Sequence, residues 1–324
     1  MSTELTHAKP GELAMSSAEY HAAPGLSASG MKDLMVSPLR YWHLHINPKR
    51  PIQEETPAQR IGTALHCAVL EPERFEAEYV RELVPGNDWL DTIEDLRAFL
   101  RDKGIKPAGT RKAEVIAQVQ AYDPNYPIVS VQFDIHADLH KGKIGLAVDE
   151  WVRVNQMRDA LKSEPRFNAI TKEGHSEVSL FATDPNSGVP LKARLDWING
   201  STILDVKTFS QMRGKSIDQT VADAIFYEAY YRQFWLYNWV RHLAAPVALP
   251  RFVVAFVESE EPHETRLKSI TVDDSTLYSQ RARTECNALM WLYADHEKRF
   301  GADPWRSAQE VDPLIDEDLK QIFF

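Results

Sequence analysis

Apolar residues recur every three or four positions in some stretches and every second position in others, and this alternation organises the chain. The spacing predicts a helix over 26–35, with Ser27 or Ser29 as N-cap, that stops at Ser37-Pro38. A helical turn or two follows over 39–45. In 59–70, Ile61, Leu65, Ala68 and Val69 lie at helical spacing, and Gly62 and His66, four apart, share a face. A longer helix is expected over 147–161. The period then becomes two, predicting antiparallel strands over 176–182, 189–196 and 201–207. Pro185-Asn-Ser-Gly188 turns the first into the second, and Asn199-Gly200, a strong hairpin signal, turns the second into the third. A single long helix with an aromatic-rich face is predicted over 217–242, then strands over 251–257 and 265–272, then a helix over 274–296.

With 324 residues there is room for one large domain, or one domain with an insertion, and for a substantial core. No run of about eighteen apolar residues occurs, so no membrane-spanning helix is expected. Residues 1–22 lack a basic region followed by an apolar one and read as a flexible leader rather than a secretory signal. The two cysteines, Cys67 and Cys286, cannot form a four-thiolate metal site, and a cytosolic protein is the natural expectation. Phosphate-loop and dinucleotide-binding glycine motifs are both missing. A net charge of −10 argues only weakly against nucleic acid, because binding depends on where the cations sit. Part of the excess acid falls in 301–324, read as an acidic C-terminal tail (Glu310, Asp312, Asp316, Glu317, Asp318), and part in 258–261. A carboxylate-lined metal site would also add negative charge that bound ions offset.

The predicted hairpin carries the candidate chemistry. Asp196 lies near the end of one strand, and Asp205 and Lys207, two apart on the next, point to one face. Two carboxylates can hold a hard divalent cation, and a lysine beside them can stabilise or deprotonate a water. A second feature spans 88–124: amphipathic helices over 93–104 and 113–121 flank an extended loop. This helix–extended loop–helix resembles the SAP family of DNA-binding motifs. That resemblance makes Arg97, Arg101, Lys103, Lys106, Arg111 and Lys112 candidate phosphate contacts.

Taken in order, the motifs resemble the PD-(D/E)XK nuclease superfamily, and within it the exodeoxyribonuclease VIII-type exonucleases, relatives in mechanism of phage lambda exonuclease. The resemblance rests on Gly62-Thr-Ala-Leu-His66 with the run from Ala68 to Glu73, Glu177, Asp196, Asp205 and Lys207. It rests also on Gln233-Phe-Trp-Leu-Tyr237, and on Leu26-Ser-Ala-Ser29 with Ser37-Pro38 and Tyr41. Asp205 stands where Glu is commonest, Leu195 replaces the usual proline, and the four cysteines of iron–sulfur relatives are missing. The implied fold is α/β, a central mixed sheet flanked by helices, with a nuclease domain over 23–300.

The resemblance implies that Asp196, Asp205, the Val206 carbonyl and His66 ligate one or two Mg²⁺ ions, with Mn²⁺ able to substitute. Catalysis would involve Lys207, Glu177, Gln233 and Tyr237, with Arg194 and Ser29 contacting DNA. The other aromatic residues of 226–239 read as core packing. The expected activity is Mg²⁺-dependent 5′→3′ resection of double-stranded DNA ends, leaving 3′ overhangs for a single-strand-annealing recombinase. A homo-oligomer, bacterial or phage-encoded and cytoplasmic, is implied with it. The alternatives are a structure-specific endonuclease of the same superfamily and an inactive DNA-binding protein; the intact Asp196–Asp205–Lys207 set argues against the latter.

Overall fold

The computed structural model describes residues 11–13, 15–51, 55–245, 251–270 and 276–306. In chain order these form β1 (Gly11–Leu13), α1 (Ser17–Ala22), α2 (Ala28–Val36), α3 (Pro38–Tyr41) with a π-helical turn (Trp42–Ile46), and α4 (Pro57–Leu70). Next come α5 (Pro72–Glu78), β2 (Tyr79–Arg81), α6 (Ile93–Asp102), α7 (Lys112–Tyr122), α8 (Val129–Leu139), β3 (Ile144–Leu146), α9 (Val148–Ser163) and α10 (Pro165–Thr171). The remainder is β4 (His175–Thr183), β5 (Pro190–Asn199), β6 (Thr202–Phe209), α11 (Ile217–Tyr227), α12 (Tyr230–Ala244), β7 (Arg251–Glu258), β8 (Thr265–Ile270) and α13 (Leu277–Phe300). Residues 1–10 of the expected leader, 271–272 of the last expected strand, 274–275 of the last expected helix, and Glu310, Asp312, Asp316, Glu317 and Asp318 of the expected acidic tail lie outside the described residues.

Two compact units emerge, one from residues 1–70 and 157–324, the other from 71–156. The first holds a six-stranded sheet in the order β1-β4-β5-β6-β7-β8, antiparallel except where β6 and β7 pair in parallel. A parallel pair needs a crossover, here supplied by α11 and α12. β7 is an almost unbroken apolar run because both its faces are covered. Phe252, Val254 and Phe256 enter one core with α2, α12 and α13, while Val253, Ala255 and Val257 enter another with α4, α9 and α10. The period-two segments therefore become the central strands, as their pattern required.

Three expectations need correction. The helix predicted over 217–242 is two helices, because Ala229 adopts a left-handed conformation (φ 55°) between them. The supposed leader 1–22 is partly integral: β1 pairs with β4, α1 is held by a Ser16–Glu19 capping box, and Tyr20 is buried. At the other end the core continues past 300, since Trp305 is fully buried and stacks on Tyr41 at 5.2 Å.

The second unit contains α6, α7 and the extended loop between them around its own small core of Leu90, Leu96, Leu100, Val115, Val119 and Ile128. A Thr92–Asp95 capping box starts α6. β2 and β3 pair in parallel in this unit.

Candidate active site

Asp196 on β5 and the backbone of β6 are bound directly, the Val206 N–H donating to Asp196 Oδ2 at 2.9 Å. His66 reaches the same place from α4. Its Nε2–H donates to the Val206 carbonyl at 2.8 Å, and its Nδ1 lies 3.4 Å from Asp196 Oδ2. A carbonyl only accepts, so Nε2 carries a proton and Nδ1 is the ring atom that faces Asp196. Glu177 on β4 and Asp196 on β5 fall between the paired positions Ser176–Trp197 and Val178–Leu195, and the Glu177 φ of 54° is a left-handed backbone within a strand. Strain of this kind persists only where surrounding contacts impose it. His66, Glu177 and Asp196 each bring one ligand atom to a common point, all three within 4.8 Å of one another.

Beside this trio lies a second group. Lys207 Nζ is 2.7 Å from Asp205 Oδ2, and Gln233 Nε2 donates to Asp205 Oδ1 at 3.0 Å. Asp205 is 1% exposed, and its buried Oδ2 faces the Lys207 ammonium as an ion-pair partner without a hydrogen bond of regular geometry. Tyr237, one turn after Gln233, hydrogen-bonds with it, and burial keeps the phenol protonated well above its usual range.

Charge is crowded here. Desolvation, opposed by His66 and helped by Asp205 and Glu177, pushes the Asp196 carboxyl up to about 6. At Lys207 desolvation works against the ammonium, but the Asp205 and Asp196 carboxylates outweigh it and hold its pKa above the ordinary lysine value. Lys207 is thus a proton donor at neutral pH, not a base.

The residues expected from sequence are brought together, with different partners. Asp205 is not in the convergent trio; it is committed to Lys207 and Gln233, and Glu177 takes its place beside Asp196. The Val206 carbonyl, expected as a metal ligand, accepts from His66. Arg194, expected to contact DNA, spends its donors internally on Glu177 Oε2 (2.6 Å), Ser179 Oγ (2.7 Å) and the Met15 carbonyl (3.1 Å). It holds Glu177 in place. Ser29 is exposed at the start of α2, its Oγ 3.0 Å from that of Ser27, which caps the helix.

In the second unit Arg97 donates to the Gly109 carbonyl, and Lys103, Arg111 and Lys112 pair with Asp102, Glu114 and Asp91. Arg101 and Lys106 are exposed and carry no ion pair among the described residues. Of the aromatic residues read as core, Tyr227 is 72% exposed, and the Tyr230 ring lies 5.4 Å from Lys207 Nζ. Spacing could have found Tyr230: with Gln233 and Tyr237 it forms an i, i+3, i+7 stripe on α12.

The trio suits a divalent cation. Two carboxylates and an imidazole make a mixed oxygen and nitrogen donor set that can hold a divalent metal ion. The raised Asp196 carboxyl reports unrelieved burial and repulsion that such a cation would offset.

Residues 27–298 match the family model described as "PDDEXK-like domain of unknown function (DUF3799)". No curated protein sequence matches the chain. Among solved structures the chain is similar to one from Eubacterium rectale described as a "putative exonuclease": 15% identity, TM-score 0.50, covering 94% of this chain and 98% of that one. Another, SSO0001, is 14% identical over 72% of this chain and 86% of that one, with a TM-score of 0.25.

Proposed function

The chain belongs to the PDDEXK-like domain family, and from that premise we propose that it is a divalent-metal-dependent deoxyribonuclease. The observation that carries the reading is the convergence of His66, Glu177 and Asp196 within 4.8 Å beside the Lys207–Asp205 pair. His66 Nδ1 and the Glu177 and Asp196 carboxylates would hold the ion. When bound, it supplies Lewis-acid polarisation of a phosphate oxygen and acidifies a water.

The chain's own residues do the rest. Gln233 fixes Asp205, and Asp205 fixes Lys207. The Lys207 ammonium donates to the attacking water or to the phosphate oxygen on which charge develops, stabilising the transition state electrostatically. Arg194 keeps Glu177 in its strained backbone by holding the carboxylate from the far side. In the second unit, Arg101 and Lys106 add backbone contacts with duplex that read no sequence.

The finer reading is a 5′→3′ exonuclease on double-stranded ends that leaves a 3′ overhang for an annealing recombinase. Its support is the motif resemblance, and it predicts a homo-oligomer that threads DNA. Linear duplex labelled at either 5′ or 3′ end tests it, digested by wild type and Lys207→Ala in Mg²⁺ or EDTA. Mg²⁺-dependent release of the 5′ label first, lost by at least about a hundredfold in Lys207→Ala, is expected. Activity in EDTA would overturn the metal-dependent mechanism. Equal cutting of closed circular duplex would favour the endonuclease reading instead.

A further inference from the structure

We propose that Tyr230 is a positioning residue shared by two lysines: its ring steadies Lys207 at the reacting phosphate and holds Lys32 as the contact for a neighbouring DNA phosphate. The inference rests on the nuclease reading and names a substrate contact that the motifs do not include.

Lys207 Nζ and Lys32 Nζ lie 5.4 and 5.6 Å from the centroid of the same Tyr230 ring. A cation within about 6 Å of an aromatic face is attracted by the ring quadrupole, and a partly desolvated site strengthens the attraction. Tyr230 is only partly buried, so one ring serves a lysine on the catalytic strand and another on α2.

The two lysines differ in what else holds them. Lys207 is 18% exposed and tied to Asp205. Lys32 is 46% exposed, and its acidic partner, Glu228, is 62% exposed and 3.7 Å away. A pair so open to water contributes little and can be exchanged for a phosphate. Burial first, and then the nearby Arg232 and Lys207 cations, depress the Lys32 pKa despite Glu228.

The backbone supports the same assignment. Ala229 is buried with a φ of 55°, and this turn separates α11 from α12 so that Tyr230 opens the new helix. Tyr230, Gln233 and Tyr237 then share one stripe, on which the ring meets Lys207 and the Gln233 amide meets Asp205. A continuous helix would turn that stripe elsewhere.

The test compares Lys32→Ala, Tyr230→Phe and Tyr230→Leu. Duplex affinity is measured by anisotropy in EDTA across a salt series, and kcat and KM are measured with Mg²⁺. Lys32→Ala should weaken Kd and raise KM about tenfold at about 0.15 M salt, leave kcat within about twofold, and lower the salt slope by about one. Tyr230→Phe, which keeps the ring face, should match wild type. Tyr230→Leu should reproduce the Lys32→Ala affinity loss and also lower kcat. Adding Lys32→Ala to Tyr230→Leu should then weaken Kd no further, because both changes remove one contact.

An unchanged Kd and salt slope in Lys32→Ala overturns the proposal, as does a Tyr230→Leu protein with the kcat of Tyr230→Phe. Should Tyr230→Leu not fold, Lys32→Ala at its exposed position still decides. The EDTA measurements need no cleavage, so wild type that binds duplex without cutting it would count against the nuclease reading while leaving Lys32 on trial.

Discussion

Asp196 concentrates the competing forces of the site. Its carboxyl titrates at about 6 in the folded chain, against about 3.9 for an unperturbed aspartate. Between those values the folded state binds more protons than the unfolded one. The stability of metal-free protein therefore falls as pH rises from about 4 to above 6, by up to about 2–3 kcal/mol, and stays low beyond. A divalent ion occupying the trio removes that penalty, so Mg²⁺ should raise Tm more at pH 8 than at pH 5. Thermal melts with EDTA or Mg²⁺ check this. In Asp196→Asn both the pH slope and the Mg²⁺ shift should shrink, and a variant with the full Mg²⁺ shift would mean that the ion binds elsewhere.

Gly62 shows the opposite economy. It sits one turn before His66 in α4, and a Cβ there would meet no protein atom within 4 Å. Glycine inside a helix costs about 0.5–1 kcal/mol relative to alanine, and nothing in the fold's own packing requires it. The open space lies beside a candidate ligand, where a DNA backbone would approach. Gly62→Ala is expected to raise stability by about that amount while lowering cleavage, read from Tm and kcat/KM on one preparation.

At the scale of elements, the strands were legible because each alternates or is continuously apolar according to how many of its faces are covered. The break in 217–242 was not. Helical periodicity continues through Glu228-Ala229-Tyr230, and no glycine or proline marks the turn. The break is imposed from outside the segment, by α12 packing its Phe234 against Phe252 on the sheet at a ring distance of 4.5 Å. A left-handed alanine is strained, so Ala229→Gly should stabilise by about 0.5–1 kcal/mol net of the added freedom of the unfolded chain. Denaturant midpoints measure it, and a destabilised glycine variant would argue that Ala229 is not strained. Glu177 carries comparable strain in β4, but relieving it with glycine would also delete a candidate ligand.

At the scale of the whole molecule, β1, α1 and the segment that carries Trp305 complete the first unit among the described residues. Trp305 has no exposed surface, donates its indole N–H to the Gly301 carbonyl, and packs on Tyr41, Tyr293 and His296. Trp305→Ala should cost about 3–5 kcal/mol, enough to unfold a marginal domain, and calorimetry would show it. A loss below about 1 kcal/mol would place Trp305 outside the cooperative core. No helix among the described residues is long and apolar enough to cross a membrane.

The sequence alone determined the order of the central elements, from β4 to β8 with the helices around them, and the residue types they carry. A strand's period of two and a helix's of 3.6 are local, and Asp-x-Lys or Gly-x-x-x-His spacing survives any packing. Only the tertiary structure decided which groups meet. Adjacent strands bring Glu177 and Asp196 close together, and α4 delivers His66 to them. A buried carboxylate must find partners at once, so Asp205 is taken by Lys207 and Gln233, and Arg194 by Glu177. Those pairings join residues between 2 and 28 positions apart, and their long-range members depend on distances that no local pattern contains.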